Sequence, residues 1–246
     1  MKKISLLFAF VPSLFLSSAF LQAQEADIPA GTVVRMANCK IIGDRLGFSD
    51  ILQRARALEF DENEANLIFF RRPIYATPDY HQNYDFQVAQ YYSSFNEMRD
   101  RRSASGNSSY GRLGVQCDPA FVVRNVPVNQ GDGLEDQSLM TTRFCNTING
   151  AGWRDVYTRL GQGAANMSGD HGITTLGQMW LPALGGPMNT SFDFVYAQVG
   201  TNGEELMQRM DVFREGYRPV NGEREQVMSC ERASLWSTNR VYQRDQ

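Results

Sequence analysis

Two stretches of the chain, "CKIIGDRLGFSDILQRA" (Cys39–Ala55) and "CNTINGAGWRDVYTRL" (Cys145–Leu160), follow one pattern. Each begins with Cys, continues through Gly, and reaches the series Gly-aromatic-x-Asp-aliphatic-x-x-Arg. Two short stretches that agree in residue type over this length indicate a common origin. We therefore expect the chain to contain one structural unit twice.

The shared series predicts an amphipathic helix in each copy. Apolar residues recur at i, i+3, i+4 and i+7, which places them on one helix face. Asp50 and Asp155 fall in the first turn, where a negative charge interacts favourably with the helix dipole, so we expect them to be structural rather than catalytic. The apolar residues are Phe48, Ile51, Leu52 and Ala55 in the first copy and Trp153, Val156, Tyr157 and Leu160 in the second.

Strand-like runs surround these helices at matching places. The clearest pair is "DFQVAQYY" (Asp85–Tyr92) and "DFVYAQVG" (Asp193–Gly200), which agree at four of eight positions. Alternation in each run places Phe, a variable residue and Gln on one face. Pro73 and Pro182 stand at corresponding places in the preceding runs, and proline there predicts a strand end or an edge strand.

A second helix and a last strand complete each copy. Ser94 and Glu97 begin one helix in capping-box relation, and Asn202 and Glu205 begin the other. Each copy therefore reads β-α-β-β-α-β. This is the order of a ferredoxin-like split βαβ unit, an α+β fold with an antiparallel sheet and both helices on one face.

The N-terminal residues predict export. Lys2 and Lys3 precede an apolar run, and "LQA" ending at Ala23 fits a signal-peptide cleavage site. A membrane anchor is the alternative, but Pro12 interrupts the run and a cleavage site follows it. We expect the mature protein to be periplasmic or secreted.

The predicted division of the chain is a signal peptide at 1–23, a first repeat at 24–130 and a second repeat at 131–246. The stretch "NVPVNQGDGLEDQS" (125–138) links the repeats, and its Pro, Gly and Asp content indicates a boundary near residue 131.

Four cysteines, Cys39, Cys117, Cys145 and Cys230, are predicted to form two disulfides, because an even count is typical of exported proteins. In the ferredoxin-like order the first and last strands are neighbours. Opposed residues on such strands come close enough for a bridge, which predicts Cys39–Cys117 and Cys145–Cys230. A metal site is the alternative, but no CxxC or CxxH spacing occurs.

Composition and motifs exclude several function classes. The formal net charge is -3 over 246 residues and no basic stripe occurs, so we predict no nucleic-acid partner. Beyond the signal peptide no run is apolar enough to cross a membrane, so we expect no association with a membrane after cleavage. No phosphate-loop, GxSxG, HExxH or EF-hand pattern is present, and we predict no metal and no cofactor.

Two such modules in one chain resemble the tandem, pseudo-dimeric form of the dimeric α/β-barrel superfamily. The resemblance extends from about Val33 to about Trp236 and rests on element order and internal repetition. It implies two sheets packed face to face into a barrel, with the helices outside. The superfamily includes monooxygenases that need no metal, haem enzymes such as chlorite dismutases, and binding proteins, so the resemblance implies no single activity.

Histidines are the first candidates for chemistry. His81 lies in a Tyr-rich connection, and His171 lies in a Gly-rich loop before the second strand of the second copy. The two positions are not equivalent, so neither histidine is part of the repeated unit and each is specific to one copy. Asp170 and His171 form a candidate acid–base or ligand pair at the barrel mouth. The alternative is that both histidines are exposed loop residues.

Arg71 and its neighbour Arg72 end an apolar strand, so one should point inward and one outward. An inward arginine needs an anionic partner, which Asp85, Glu59 or a ligand carboxylate would supply. A structural salt bridge and a ligand contact therefore both remain open for Arg71.

Gln90 and Gln198 are polar residues repeated on one strand face. They would bind a ligand if that face lines the barrel and would be buried hydrogen-bonding groups if it faces the helices. Aromatic side chains near them, Tyr91, Trp180 and Tyr196, complete the predicted pocket lining.

These features favour an exported protein that binds a small, partly apolar molecule in the barrel or between the sheets. The alternatives are a cofactor-independent monooxygenase that uses His171 or His81 with Asp170, and a structural or protein-interaction module. Convergence of His171, Arg71 and Gln198 on one cavity would favour the enzyme. An apolar cavity without titratable groups would favour the binder, and a barrel filled by its own side chains would favour the module.

Overall fold

A computed structural model describes residues 28–43, 45–76, 84–104, 109–118, 121–131, 133–185, 192–218 and 226–244. The predicted signal peptide and His81 lie outside these residues. No helix within the described ranges has the length and apolar character needed to cross a membrane.

Both copies contain the predicted elements in the predicted order, with two additional short strands. A 3-10 helix, Ser109–Leu113, precedes the short strand of the first copy. The elements of the first copy are β1 (Thr32–Ile41), α1 (Phe48–Arg56), β2 (Leu67–Tyr75), β3 (Phe86–Tyr92), α2 (Phe95–Ala104), β4 (Val115–Cys117) and β5 (Phe121–Pro127). Those of the second are β6 (Gln137–Thr147), α3 (Trp153–His171), β7 (Leu176–Leu184), β8 (Phe194–Val199), α4 (Gly203–Arg214), β9 (Met228–Cys230) and β10 (Ser234–Gln243).

Antiparallel pairing joins the two copies into one closed barrel. The strand order is β5-β1-β3-β2 in the first copy and β10-β6-β8-β7 in the second, which is the ferredoxin-like order. Between the copies β5 pairs with β7 and β10 pairs with β2. The resemblance implied two sheets packed face to face. In the structure the two sheets are also joined edge to edge. Each copy supplies partners for the backbone N–H and C=O groups at the edges of the other.

The barrel interior is filled by its own side chains. Trp180 and Trp236 are each 1% exposed and belong to one apolar cluster with Met36 and Met140. Two further clusters lie on the outer face of the sheet, where α1 packs on the first copy and α3 on the second. The helices therefore surround the barrel, as the resemblance implied.

The repeated aspartates hold the starts of the helices, as predicted. Asp50 Oδ2 accepts a hydrogen bond from the Gly47 N–H at 2.8 Å, and Asp155 Oδ2 accepts one from the Gly152 N–H at 2.8 Å. Each bond satisfies a backbone donor that the helix itself leaves unpaired.

Pro73 and Pro182 lie where β2 and β7 have already separated from one neighbour. The pairing of β2 with β3 ends at Arg71, and that of β7 with β8 ends at Trp180. On their other sides the two strands continue to pair with β10 and β5. The prolines therefore stand on a free edge, as expected, although they lie inside the strands.

Both predicted disulfides, Cys39–Cys117 and Cys145–Cys230, are present. Their second cysteines differ from the prediction in position. Cys117 and Cys230 lie on the separate strands β4 and β9, not on the last strand of each copy. The strands β1 and β6 are long enough to pair with β5 and β10 over one part and with β4 and β9 over another.

Replacing one disulfide, with Cys39→Ala and Cys117→Ala, is expected to lower the free energy of unfolding by about 4 kcal/mol. The reason is that the bridge closes a loop between cysteines 78 residues apart, which restricts the unfolded chain. Equilibrium unfolding in urea measures the change. The Cys145→Ala, Cys230→Ala variant is the matched comparison, since its separation of 85 residues predicts a similar loss. Losses below about 1 kcal/mol would contradict the pairing.

Candidate functional site

Arg71, Tyr91 and Trp180 meet inside the barrel. Arg71 is 2% exposed, its Nη2 donates to the Tyr91 hydroxyl, and its guanidinium carbon lies 4.8 Å from the Trp180 ring centre. Neither Asp85 nor Glu59 forms an ion pair with it in the part of the chain that the structure describes, so the expected salt bridge is absent there. The Arg71 guanidinium instead lies over the rings of Tyr91 and Trp180, whose faces carry partial negative charge.

Tyr196 and Gln198 face the helices rather than the barrel. Gln198 is hydrogen-bonded to the Tyr196 hydroxyl at 3.0 Å. With its amide turned to satisfy both atoms, the Gln198 oxygen accepts from Nη2 and Nε of Arg209 on α4, at 2.5 and 3.0 Å. Burial raises the pKa of Tyr196 and lowers that of Arg209. These residues form a closed polar cluster.

Asp170 and His171 are the last two residues of α3 and not part of a loop. The helix continues to His171 because Gly172, with φ of 67°, supplies the left-handed residue that ends it. His171 is exposed, and its ring meets that of Tyr217 edge-on at 4.4 Å. The Tyr217 hydroxyl donates to the Asp170 carboxylate, and this bond raises the pKa of Tyr217. The pair lies on the protein surface.

The groups whose convergence would indicate an enzyme therefore lie apart. Arg71 is inside the barrel, Gln198 is on its outer face and His171 is exposed. A haem iron is commonly held by a histidine in an enclosed pocket, and His171 does not have that setting. Within the described ranges no three His, Cys, Asp or Glu side chains are grouped to hold a metal ion. These residues do not fit a haem or metal centre.

A cavity of about 400 Å³ opens on the outer face of the first copy. Ala37 of β1 and Val88 of β3 contribute apolar surface to it. Gln90, which the sequence singled out, also lines it, together with Arg35 of β1 and Tyr110 of the 3-10 helix. The predicted site residues are thus divided between the barrel, this cavity and the second copy.

Two small residues that line the cavity differ from their counterparts in the second copy. Ala37 is paired with Val88 across β1 and β3, and Arg143 is paired with Tyr196 at the equivalent place on β6 and β8. Tyr196 packs against the apolar cluster of the second copy, and the charge of Arg143 lies close enough to act on its hydroxyl. The first copy has less bulk at this place, and both of its small residues line the cavity.

A hydrogen-bonded chain crosses one wall of the cavity. Arg35 Nη1 donates to Gln90 Oε1 at 2.7 Å, and Gln90 Nε2 donates to the Tyr110 hydroxyl at 3.2 Å. Tyr110 is 8% exposed, and burial raises its pKa, so the hydroxyl keeps its proton at neutral pH. No acceptor for that proton is present among the residues described.

Two arginines, Arg35 and Arg102, supply the positive charge in the cavity. Burial lowers the pKa of Arg35, and the positive charge of Arg102 lowers it further. Neither arginine takes part in an ion pair in the described ranges. The buried carboxyl group of Glu64 also lines the cavity, and its pKa is raised by burial and by the charge of Asp61.

Arg35, Arg102, Tyr110 and Glu64 were not candidates in the sequence. They lie on four separate segments and form no motif. The available signal was a difference between the copies, since Val88 stands where the second copy has Tyr196.

No protein-family model and no curated protein matches the chain. Among solved structures, a "putative monooxygenase" from Lactobacillus acidophilus NCFM is similar, with a TM-score of 0.52 and 10% identity over 86% of this chain and 95% of that chain. A mutant chlorite dismutase from Candidatus Nitrospira defluvii gives a TM-score of 0.48 and 8% identity over 87% of this chain and 93% of that one. At such identities the likeness concerns the fold alone. The chain therefore has the fold of the dimeric α/β-barrel superfamily, with both halves of the barrel in one polypeptide.

Proposed function

We propose that this is an exported small-molecule-binding protein whose site is the cavity of the first copy. One observation carries the proposal: Ala37 and Val88 line the cavity of the first copy, and the second copy has the larger residues Arg143 and Tyr196 at the equivalent places. Its volume of about 400 Å³ is in the range of small-molecule sites. Apolar walls with a few placed polar groups are the usual composition of such sites.

The polar groups of the cavity are already held in position before a ligand binds. Gln90 is 6% exposed and fixes both Arg35 and Tyr110 by hydrogen bonds. A fixed group loses little conformational freedom on binding, which favours affinity. Gln90 would therefore position Arg35 and Tyr110 for the ligand. If its strand face had lined the barrel, it would have been expected to contact the ligand directly.

The barrel interior is the less favoured place for a ligand. Arg71, Tyr91 and Trp180 pack against one another there, and the large side chains around them are almost fully buried. A filled barrel was the outcome expected of a structural or interaction module. A ligand would instead bind in the cavity outside the barrel, on the face of the sheet that the helices cover.

Export is supported by the N-terminal sequence and by the cysteines. Residues 1–23 have the composition of a signal peptide. All four cysteines are paired, which is typical of proteins from oxidising compartments.

Refilling the cavity is expected to abolish binding. The variant Ala37→Arg with Val88→Tyr installs the residues of the second copy and occupies the space a ligand needs. Ligand-observed NMR with a panel of small aromatic acids, amides and amines measures binding, and thermal unfolding monitored by circular dichroism verifies the fold. Ala183→Arg, on the exposed end of β7, is the matched control and should bind like the parent. Unchanged binding by a folded double variant would contradict the proposed site.

Export of the full chain is expected to yield a protein that begins at Gln24 and is four hydrogen atoms lighter than its reduced form, two for each disulfide. Intact-mass spectrometry of periplasmic material measures both changes. A retained N-terminal segment, or a fully reduced mass, would contradict the export part of the proposal.

A further inference from the structure

We infer that the cavity takes an organic carboxylate with a single negative charge, whose anionic head lies at Arg35 and Tyr110 and whose apolar body lies against Ala37 and Val88. This inference rests on the proposed function, because it names the class of molecule that the same cavity would bind.

Positive charge at Arg35 and Arg102, neither of which forms an ion pair with another described residue, favours an anion. Arg35 is partly buried, and its guanidinium donates a hydrogen bond to the neutral amide of Gln90. Arg102 is close enough for its charge to act unfavourably on that of Arg35. Removing a guanidinium from water costs free energy, and a charge of opposite sign recovers part of it. A bound carboxylate would provide that charge to both arginines.

The free hydrogen-bonding groups on this wall are donors. Gln90 uses its oxygen to accept from Arg35 and its nitrogen to donate to Tyr110. Arg35 and Tyr110 both line the cavity, and each keeps donor groups, guanidinium N–H and phenol O–H, beyond its bond with Gln90. An ionised carboxylate accepts hydrogen bonds and donates none, and it matches the forked geometry of a guanidinium.

Acidic residues limit the charge that the cavity accepts. Glu64 and Asp118 also line it, so its total charge is close to neutral when both are ionised. A dianion such as a phosphate monoester would meet more repulsion from these groups than a carboxylate would. The apolar surface of Ala37 and Val88 suits a hydrocarbon or aromatic body.

Two probes of nearly equal shape separate charge from size: 2-naphthoate and 2-naphthamide. Isothermal titration calorimetry on the mature, oxidised protein should show the acid binding about tenfold more tightly than the amide, or better. Arg35→Gln should lower the affinity for 2-naphthoate about tenfold and change that for 2-naphthamide by less than about twofold. Arg99→Gln is the matched control, since Arg99 is exposed on α2 and paired with Asp100.

Tyr110→Phe provides a second variant, because it keeps the ring and removes only the hydroxyl donor. It should weaken 2-naphthoate by about fivefold and leave 2-naphthamide nearly unchanged. This variant decides the inference if Arg35→Gln fails to fold.

Other outcomes overturn the inference in distinguishable ways. Equal affinities for the acid and the amide, with no effect of either variant, would retain the cavity as a binding site and reject the carboxylate. Tighter binding of 2-naphthyl phosphate than of 2-naphthoate would reject the single charge. Absence of binding by every member of the fragment panel would reject the proposed function and the inference together.

Discussion

Strand pairing between the two copies is the interaction on which the rest of the structure depends. Each ferredoxin-like sheet alone would leave two edges of unpaired N–H and C=O groups, at β5 and β2 in one copy and at β10 and β7 in the other. The pairs β5–β7 and β10–β2 satisfy all four edges at once. Closure removes surfaces that would otherwise pair with other chains. The duplicated unit is therefore complete only as a pair.

Closure also determines where the copies can diverge. Inside the barrel a residue of one copy meets residues of the other: Arg71 and Trp180, each two positions before the proline of its strand, lie in contact. A change there must fit both copies. On the outer face each cluster consists mainly of one copy's residues, although Val241 of β10 joins the cluster at α1 and Val126 of β5 joins the cluster at α3. Ala37 and Val88 pair within the first copy, so their difference from Arg143 and Tyr196 changes the outer face of that copy.

Much of the fold could be predicted from the repetition. The order of elements, both disulfides and the role of Asp50 followed from matching the two copies and from the neighbour relations of the ferredoxin-like order. The orientation of the sheet could not be predicted. Every residue of β3 is buried, because one face packs in the barrel and the other under helices, so alternation separates two faces without identifying them. Gln90 was ambiguous for that reason.

The site was harder to predict from the sequence than the fold, because its residues share no motif. Arg35, Tyr110 and Arg102 come from a strand, a 3-10 helix and an α-helix, and only the folded chain brings them together. The prediction of a loop around His171 rested on the nearby glycines and was wrong, because Gly169 lies within α3 and Gly172 ends the helix.

A crystal structure of the mature protein with 2-naphthoate would decide between the first-copy cavity and the barrel interior as the place where a ligand binds. The account predicts the ligand in the first-copy cavity, its carboxylate about 3 Å from Arg35 and from the Tyr110 hydroxyl, with the equivalent space of the second copy closed by Tyr196. A ligand seated beside Arg71 inside the barrel, or a first-copy cavity closed by its own side chains, would contradict it.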